Sequence, residues 1–235
     1  MALFLGLYLG HILGDFVFQP GRLVIAKRER QSAAVFHSAI VTACTALALS
    51  GVLEQAWTAV VIAGITHLGV EQLSIGARRN PKATGLTVFV LDQGLHVVSL
   101  AMIAMLSGDS VPAVLGVWPT TPEMLATVGG VTTVAFAGSI LIFEVQMARA
   151  DHADGPDPVL GFDLARVYGM VERAAALIAA LLLSNPLLGA MAFTPRLGYA
   201  VVARSSGRTA QLAAAGVGLV ITAMAWILVT SVTGL

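Results

Sequence analysis

The side chains with the most chemistry in this chain lie where the sequence is least polar. His11, Asp15 and Gln19 recur every fourth residue in His-Ile-Leu-Gly-Asp-Phe-Val-Phe-Gln, so on a helix they share one face. The spacing returns in His67 and Glu71, and reversed in Asp92 and His96, each pair inside an apolar run that His37 also shares in kind. Ionisable groups in such surroundings are costly to insert into a bilayer and mark functional positions. Neutral imidazoles and carboxylates are ligands for zinc, iron or manganese. Inward-facing Glu and His on bundled helices can also hold two metals. On this reading His11, Asp15, His67, Asp92 and His96 are the metal ligands. His37, Glu71 and Glu144 are the general base or further ligands. Gln19, Gln72 and Gln93 orient them from outside. A bound metal would lower the pKa of a water and supply a nucleophile. The same groups could instead relay protons, or serve only as hydrogen-bond partners between helices.

A second set of charges occurs later, in Ala-Arg-Val-Tyr-Gly-Met-Val-Glu-Arg at residues 165–173. Arg166 and Arg173 are seven residues apart, two helical turns, and face one side. Glu172 can pair with an Arg of a neighbouring turn or helix, and Arg196 enters beside Pro195. Two readings stand: an ion-pair lock between helices, or capture of a substrate phosphate or carboxylate by Arg166, Arg173 and Arg196, with Glu172 supporting them.

The elements that must position these groups follow from composition. Of 235 residues, 57% are hydrophobic and 11% charged, against about 25% charged in a soluble domain. The mean hydropathy is +0.86. Lipid is therefore the solvent for most of the chain. Net charge is zero, which gives no footprint for nucleic acid. The single Cys44 excludes an internal disulfide or a Cys-based zinc cluster and reads as a small core residue. The 24 glycines suit close helix packing. Met-Ala-Leu-Phe-Leu at the start lacks a basic flank and reads as a retained first span.

A span takes about 20 mostly apolar residues. On that rule an all-α, polytopic bundle of about eight spans is expected, at 1–19, 32–53, 55–75, 86–106, 122–148, 160–183, 186–203 and 210–233. It forms one transmembrane domain, with the His/Asp pairs in 1–106 and the Glu-Arg element in 122–235. Span 186–203 is interrupted by Pro195 and Arg196 and reads as kinked or re-entrant. Basic residues follow spans one, three, five and seven: Arg22, Lys27, Arg28 and Arg30, then Arg78, Arg79 and Lys82, then Arg149, then Arg204 and Arg208. Basic loops face the cytoplasm, so both termini should lie outside. Residues 20–31 read as interfacial, 107–121 as an outer loop with Trp118 as an anchor, and 149–163 as a cytoplasmic loop with a solvated His152. This orientation puts the polar groups of the first five spans in the cytoplasmic half of the membrane, at one depth.

The chain resembles a bacterial membrane family catalogued as domain of unknown function 3307. The resemblance rests on His11, Asp15, Phe16 and Gln19, on Lys27 and His37, on Thr66, His67 and Glu71, and on Asp92, Gln93 and His96. A further element of longer members is matched by Arg166, Gly169, Glu172 and Arg173, with Ala165 in place of a Gly and Tyr168 in place of an Ile. An element expected in the seventh span leaves only Arg196. The resemblance implies that these residues act together and carries no activity. The expected protein is a multi-pass enzyme of the bacterial inner membrane, dependent on a divalent metal, acting by hydrolysis or group transfer on an anionic, lipid-like substrate. A proton-coupled carrier of a metal ion or small solute is the rival; a membrane scaffold is the third reading.

Overall fold

The computed structural model describes residues 1–80, 83–107, 121–149, 163–202 and 205–234. Lys82, Trp118, His152 and Arg204, to which the sequence assigns roles, lie outside them. The described residues form helices without strands: α1 (Ala2–Ile12), α2 (Gly21–Glu29), α3 (Gln31–Ala48), α4 (Leu53–Arg78), α5 (Gly85–Leu106), α6 (Pro122–Thr132), α7 (Gly138–Arg149), α8 (Leu164–Leu182), α9 (Pro186–Ala190), α10 (Thr194–Val202) and α11 (Ser205–Thr233). Two π-helical segments interrupt the series, Leu13–Val17 after α1 and Thr133–Ala137 between α6 and α7.

Polarity is inverted relative to a protein built for water. Leu106, Leu164, Leu182 and Val202 are at least 79% exposed, while His11, His37, His67, His96 and Arg173 are at most 3% exposed. Outward apolar faces and inward charges are what a lipid environment selects. Among the described residues, five stretches are long and apolar enough to cross a membrane: Gln31–Ala48, Ser50–Arg78, Gly85–Leu106, Pro122–Ala148 and Arg208–Thr233. Ala2–Val17 and Gly21–Glu29, bent by 93°, make a sixth if taken as one broken span. The expected span at 186–203 is divided into α9, a 3-10 turn at Met191–Phe193 and α10. The eight-span count and outer termini remain expectations from charge and hydropathy.

The single expected domain resolves into two compact units, Met1–Gly129 and Gly130–Leu235, which divide inside α6. In the first unit, α1 and α3 pack backbone against backbone. A Cβ on Gly6 would overlap the Leu49 side chain, one on Gly10 would fall on the Thr45 backbone, and one on Gly14 would lie 2.6 Å from Val41 Cα. Each step of four along α1 is thus a step of four back along α3. This stripe of small residues lets two helices approach closely without a hydrophobic driving force. Gly64 of α4 does the same against Thr42 of α3. In the second unit, α8 packs on α11 and the π-helical segment through Val134, Leu177, Leu181, Ala225 and Val229. A second small core joins Ala176, Phe193 and Ala215.

Candidate metal centre

Asp15 sits within the π-helical turn Leu13–Val17, where the Phe18 N–H reaches back to Leu13 O at 2.9 Å. Such widened turns are frequent at functional sites, because one extra residue re-aims the side chains around it. The turn also ends the helix. Pro20 disfavours helical geometry at the residue before it, and Gln19 lies in the connection to α2. His11, Asp15 and Gln19 therefore do not share a regular helix face, as their spacing predicts. Gln19 instead reaches back, its Nε2 lying 3.5 Å from Asp15 Oδ1 and 2.9 Å from His37 Nε2.

Four imidazoles and the carboxylates Asp15, Glu71 and Asp92 converge from α1, its π-turn, α3, α4 and α5. The rings of His67 and His96 stack with centroids 4.4 Å apart, His11 lies 4.6 Å from His96, and His37 lies 5.1 Å from His67. His37 Nε2 stands 3.0 Å from Asp15 Oδ1, 3.2 Å from His67 Nε2 and 3.8 Å from Glu71 Oε2. One imidazole nitrogen carries one proton or one lone pair, so these neighbours cannot all be satisfied by hydrogen bonds to it. His11 Nε2 lies 3.9 Å from Asp15 Oδ2, and His96 Nε2 lies 3.6 Å from Asp92 Oδ1.

Gln93 ties the carboxylates together. Its Nε2 donates to Asp15 Oδ2 at 3.0 Å and to Asp92 Oδ2 at 2.9 Å, while its Oε1 lies 3.3 Å from His11 Nε2. Ser74 Oγ donates to the other oxygen of Asp92. Lys27 of α2 donates to Glu71 Oε2 at 2.7 Å, with both side chains nine-tenths or more buried. A small cavity opens beside the rings, lined by His11, Thr45, Thr66, His67, His96 and Ser99.

The structure thus joins His11, Asp15, His37, His67, Glu71, Asp92 and His96 in one buried cluster, with Gln19 and Gln93 against it. Gln72 does not join: it is one residue from Glu71, about 100° round the helix, and its buried Nε2 has no partner. Glu144 lies on α7, in the second unit. Two residues were missed as site groups. Lys27 reads from the sequence as a loop cation, although it is one of the matched family positions. Ser74 completes an i, i+4, i+7 face with His67 and Glu71, a spacing that would have found it.

Three groups place possible ligand atoms within 4.8 Å of one another: His11, His67 and His96; Asp15, His37, His67 and Glu71; and Asp15, Asp92 and His96. Two ring nitrogens, His67 Nδ1 and His96 Nε2, are buried without a hydrogen-bond partner.

In the second unit, Glu172 and Arg196 form an ion pair, Nε to Oε2, at 2.7 Å. Arg196 Nη1 also donates to Gln211 Oε1 at 2.7 Å, and its guanidinium lies 5.4 Å from the centre of the Tyr168 ring. Arg166 and Arg173 do face one side of α8. Arg166 donates to Ser139 Oγ. Arg173 donates to Val134 O at 2.6 Å and Ala135 O at 2.9 Å, carbonyls of the π-helical segment Thr133–Ala137.

A bundle of apolar helices with charges turned inward is a helical membrane protein. Residues 3–121 match the family described as protein of unknown function DUF3307, and the chain belongs to that family. No curated protein and no solved structure matches it.

Proposed function

We propose that the first unit holds a divalent metal (zinc, iron or manganese) and that the protein is a multi-pass enzyme of a bacterial inner membrane. Its substrate would be an amphiphile with an anionic head group, such as a lipid phosphate or ester, and its reaction hydrolysis or group transfer. The observation that carries the metal is the spacing about His37 Nε2, 3.0 Å from Asp15 Oδ1 and 3.2 Å from His67 Nε2. Ligand bonds of about 2.0–2.1 Å put neighbouring ligand atoms roughly 2.9–3.4 Å apart in octahedral or tetrahedral geometry. The crowding at His37 Nε2 suits a coordination sphere, and His67 Nδ1 and His96 Nε2, buried without a hydrogen bond, are further ligand atoms.

Asp15, His37 and His67 would hold the metal, with Glu71 at the margin and His11, His96 and Asp92 completing the sphere or serving a second ion. The metal would supply Lewis acidity and an activated water. Gln93 fixes both Asp15 and Asp92 through its amide, leaving Asp15 Oδ1 turned toward His37. Lys27 neutralises Glu71 and holds it to one side. The cavity beside His11, His67 and His96 has room for about one water.

The test is metal analysis by ICP-MS of the purified full chain, with His37→Ala/His67→Ala as the comparison. Near-stoichiometric metal in the wild type and at least a tenfold fall in the variant are expected. Equal, near-zero metal in both would remove the reading.

One observation favours a proton-coupled carrier as the alternative. His11, Gln93, Asp15, His37 and His67 form an unbroken chain of contacts of 3.3 Å or less, which a proton relay needs. Counterflow of a metal ion in proteoliposomes that is lost in Asp15→Asn would move the conclusion to the carrier.

A further inference from the structure

We infer that the second unit binds a phosphate-type oxyanion above Gly169, gripped by Arg173 and Arg196. Arg173 is 2% exposed. It spends Nε and Nη2 on the carbonyls of Val134 and Ala135. Arg196 spends Nε on Glu172 and Nη1 on Gln211. One nitrogen of each guanidinium is left over, and among the described residues neither has an acceptor. Both point to the same place: Arg173 Nη1 and Arg196 Nη2 each lie 3.1 Å from the point where a Cβ on Gly169 would stand.

The charge balance asks for an anion. Glu172 is hydrogen-bonded to Arg196, and the buried Arg173 guanidinium hydrogen-bonds only to neutral carbonyls. A buried charge is normally paired. Arg173 is also held in place along its length, with Gly138 3.1 Å from its Nε and Gly218 3.6 Å from its Cδ as Cβ positions. Two donors fixed from different helices, α8 and α10, over a residue without a side chain match the spread oxygens of a phosphate better than a single point contact does. The phosphate could belong to a lipid head group or be free in solution. This inference concerns the second unit alone and does not depend on the metal centre.

The experiment uses the full chain in detergent, as wild type, Gly169→Ala and Arg196→Gln. One arm titrates inorganic phosphate calorimetrically. The other measures retention of dioleoylphosphatidic acid against dioleoylphosphatidylcholine by native mass spectrometry. Binding by the wild type in either arm, weakened at least tenfold in both variants at unchanged helix content, is expected. Binding of phosphatidic acid alone identifies a head group, and of inorganic phosphate a soluble anion. If Gly169→Ala does not fold, Arg196→Gln decides by the same criterion. Absence of binding in both wild-type arms, or full binding by the folded variants, overturns the inference.

Discussion

The approach of α1 to α3 sets the geometry of the His/carboxylate cluster, and Gly14→Ala tests it most directly. The new methyl would stand 2.6 Å from Val41 Cα and 2.8 Å from Val41 Cγ2, where ordinary contact begins at 3.4 Å. Backbone cannot yield as a side chain tip does, so the helices must part by about 0.8 Å at this level. Asp15 is the next residue, and its bond to His37 is 3.0 Å. The same displacement carries that contact to roughly 3.8 Å, beyond hydrogen-bond length. Overpacking of this kind costs about 1–3 kcal/mol, and loss of a hydrogen bond to a charged group about 1.5–3 kcal/mol. A total loss of roughly 2.5–6 kcal/mol is expected in reversible unfolding in mixed detergent micelles, with bound metal reduced in parallel. Gly69→Ala is the control, because nothing lies within 4 Å of its Cβ position; it should be neutral or stabilising by up to about 1 kcal/mol. A Gly14→Ala protein with wild-type stability and wild-type metal content would refute the reasoning.

Other outcomes follow from the same structure. Lys27→Ala leaves Glu71 buried without its cation and should cost about 3–5 kcal/mol, whereas Lys27→Met/Glu71→Leu should recover most of it; unfolding of both variants checks this. Arg173→Ala frees two carbonyls in the π-helical segment and should lower stability by at least about 2 kcal/mol, with faster amide hydrogen exchange confined to residues near 133–138. Ser184 holds a left-handed backbone, φ 48°, so Ser184→Gly should stabilise by roughly 1 kcal/mol in the same assay. Chelation should lower the melting temperature of the wild type and leave His37→Ala/His67→Ala unmoved, since a ligand at 100 times its Kd stabilises by about 2.7 kcal/mol.

Much of this protein is written in local pattern. Low charge and long apolar runs determine a helical membrane protein, since only lipid tolerates that much exposed apolar surface. The four-residue spacing of His67 with Glu71, and of Asp92 with His96, determines that each pair shares a helix face. The seven-residue spacing of Arg166 and Arg173 likewise turns both toward one neighbour. What periodicity leaves open is which helix that neighbour is. The register of Gly6, Gly10 and Gly14 against Leu49, Thr45 and Val41 decides that Asp15 meets His37. The π-turn and Pro20, which break the 3.6-residue period, decide that Gln19 returns to the cluster from outside the helix and that α2 turns aside. That turn brings Lys27, which reads as a loop cation, onto Glu71. Glu144, placed with these groups by its depth, lies on α7 in the second unit. A helix face is a property of a few consecutive residues. The partner it meets depends on side-chain volumes and backbone breaks across the whole bundle, which only the folded chain brings together.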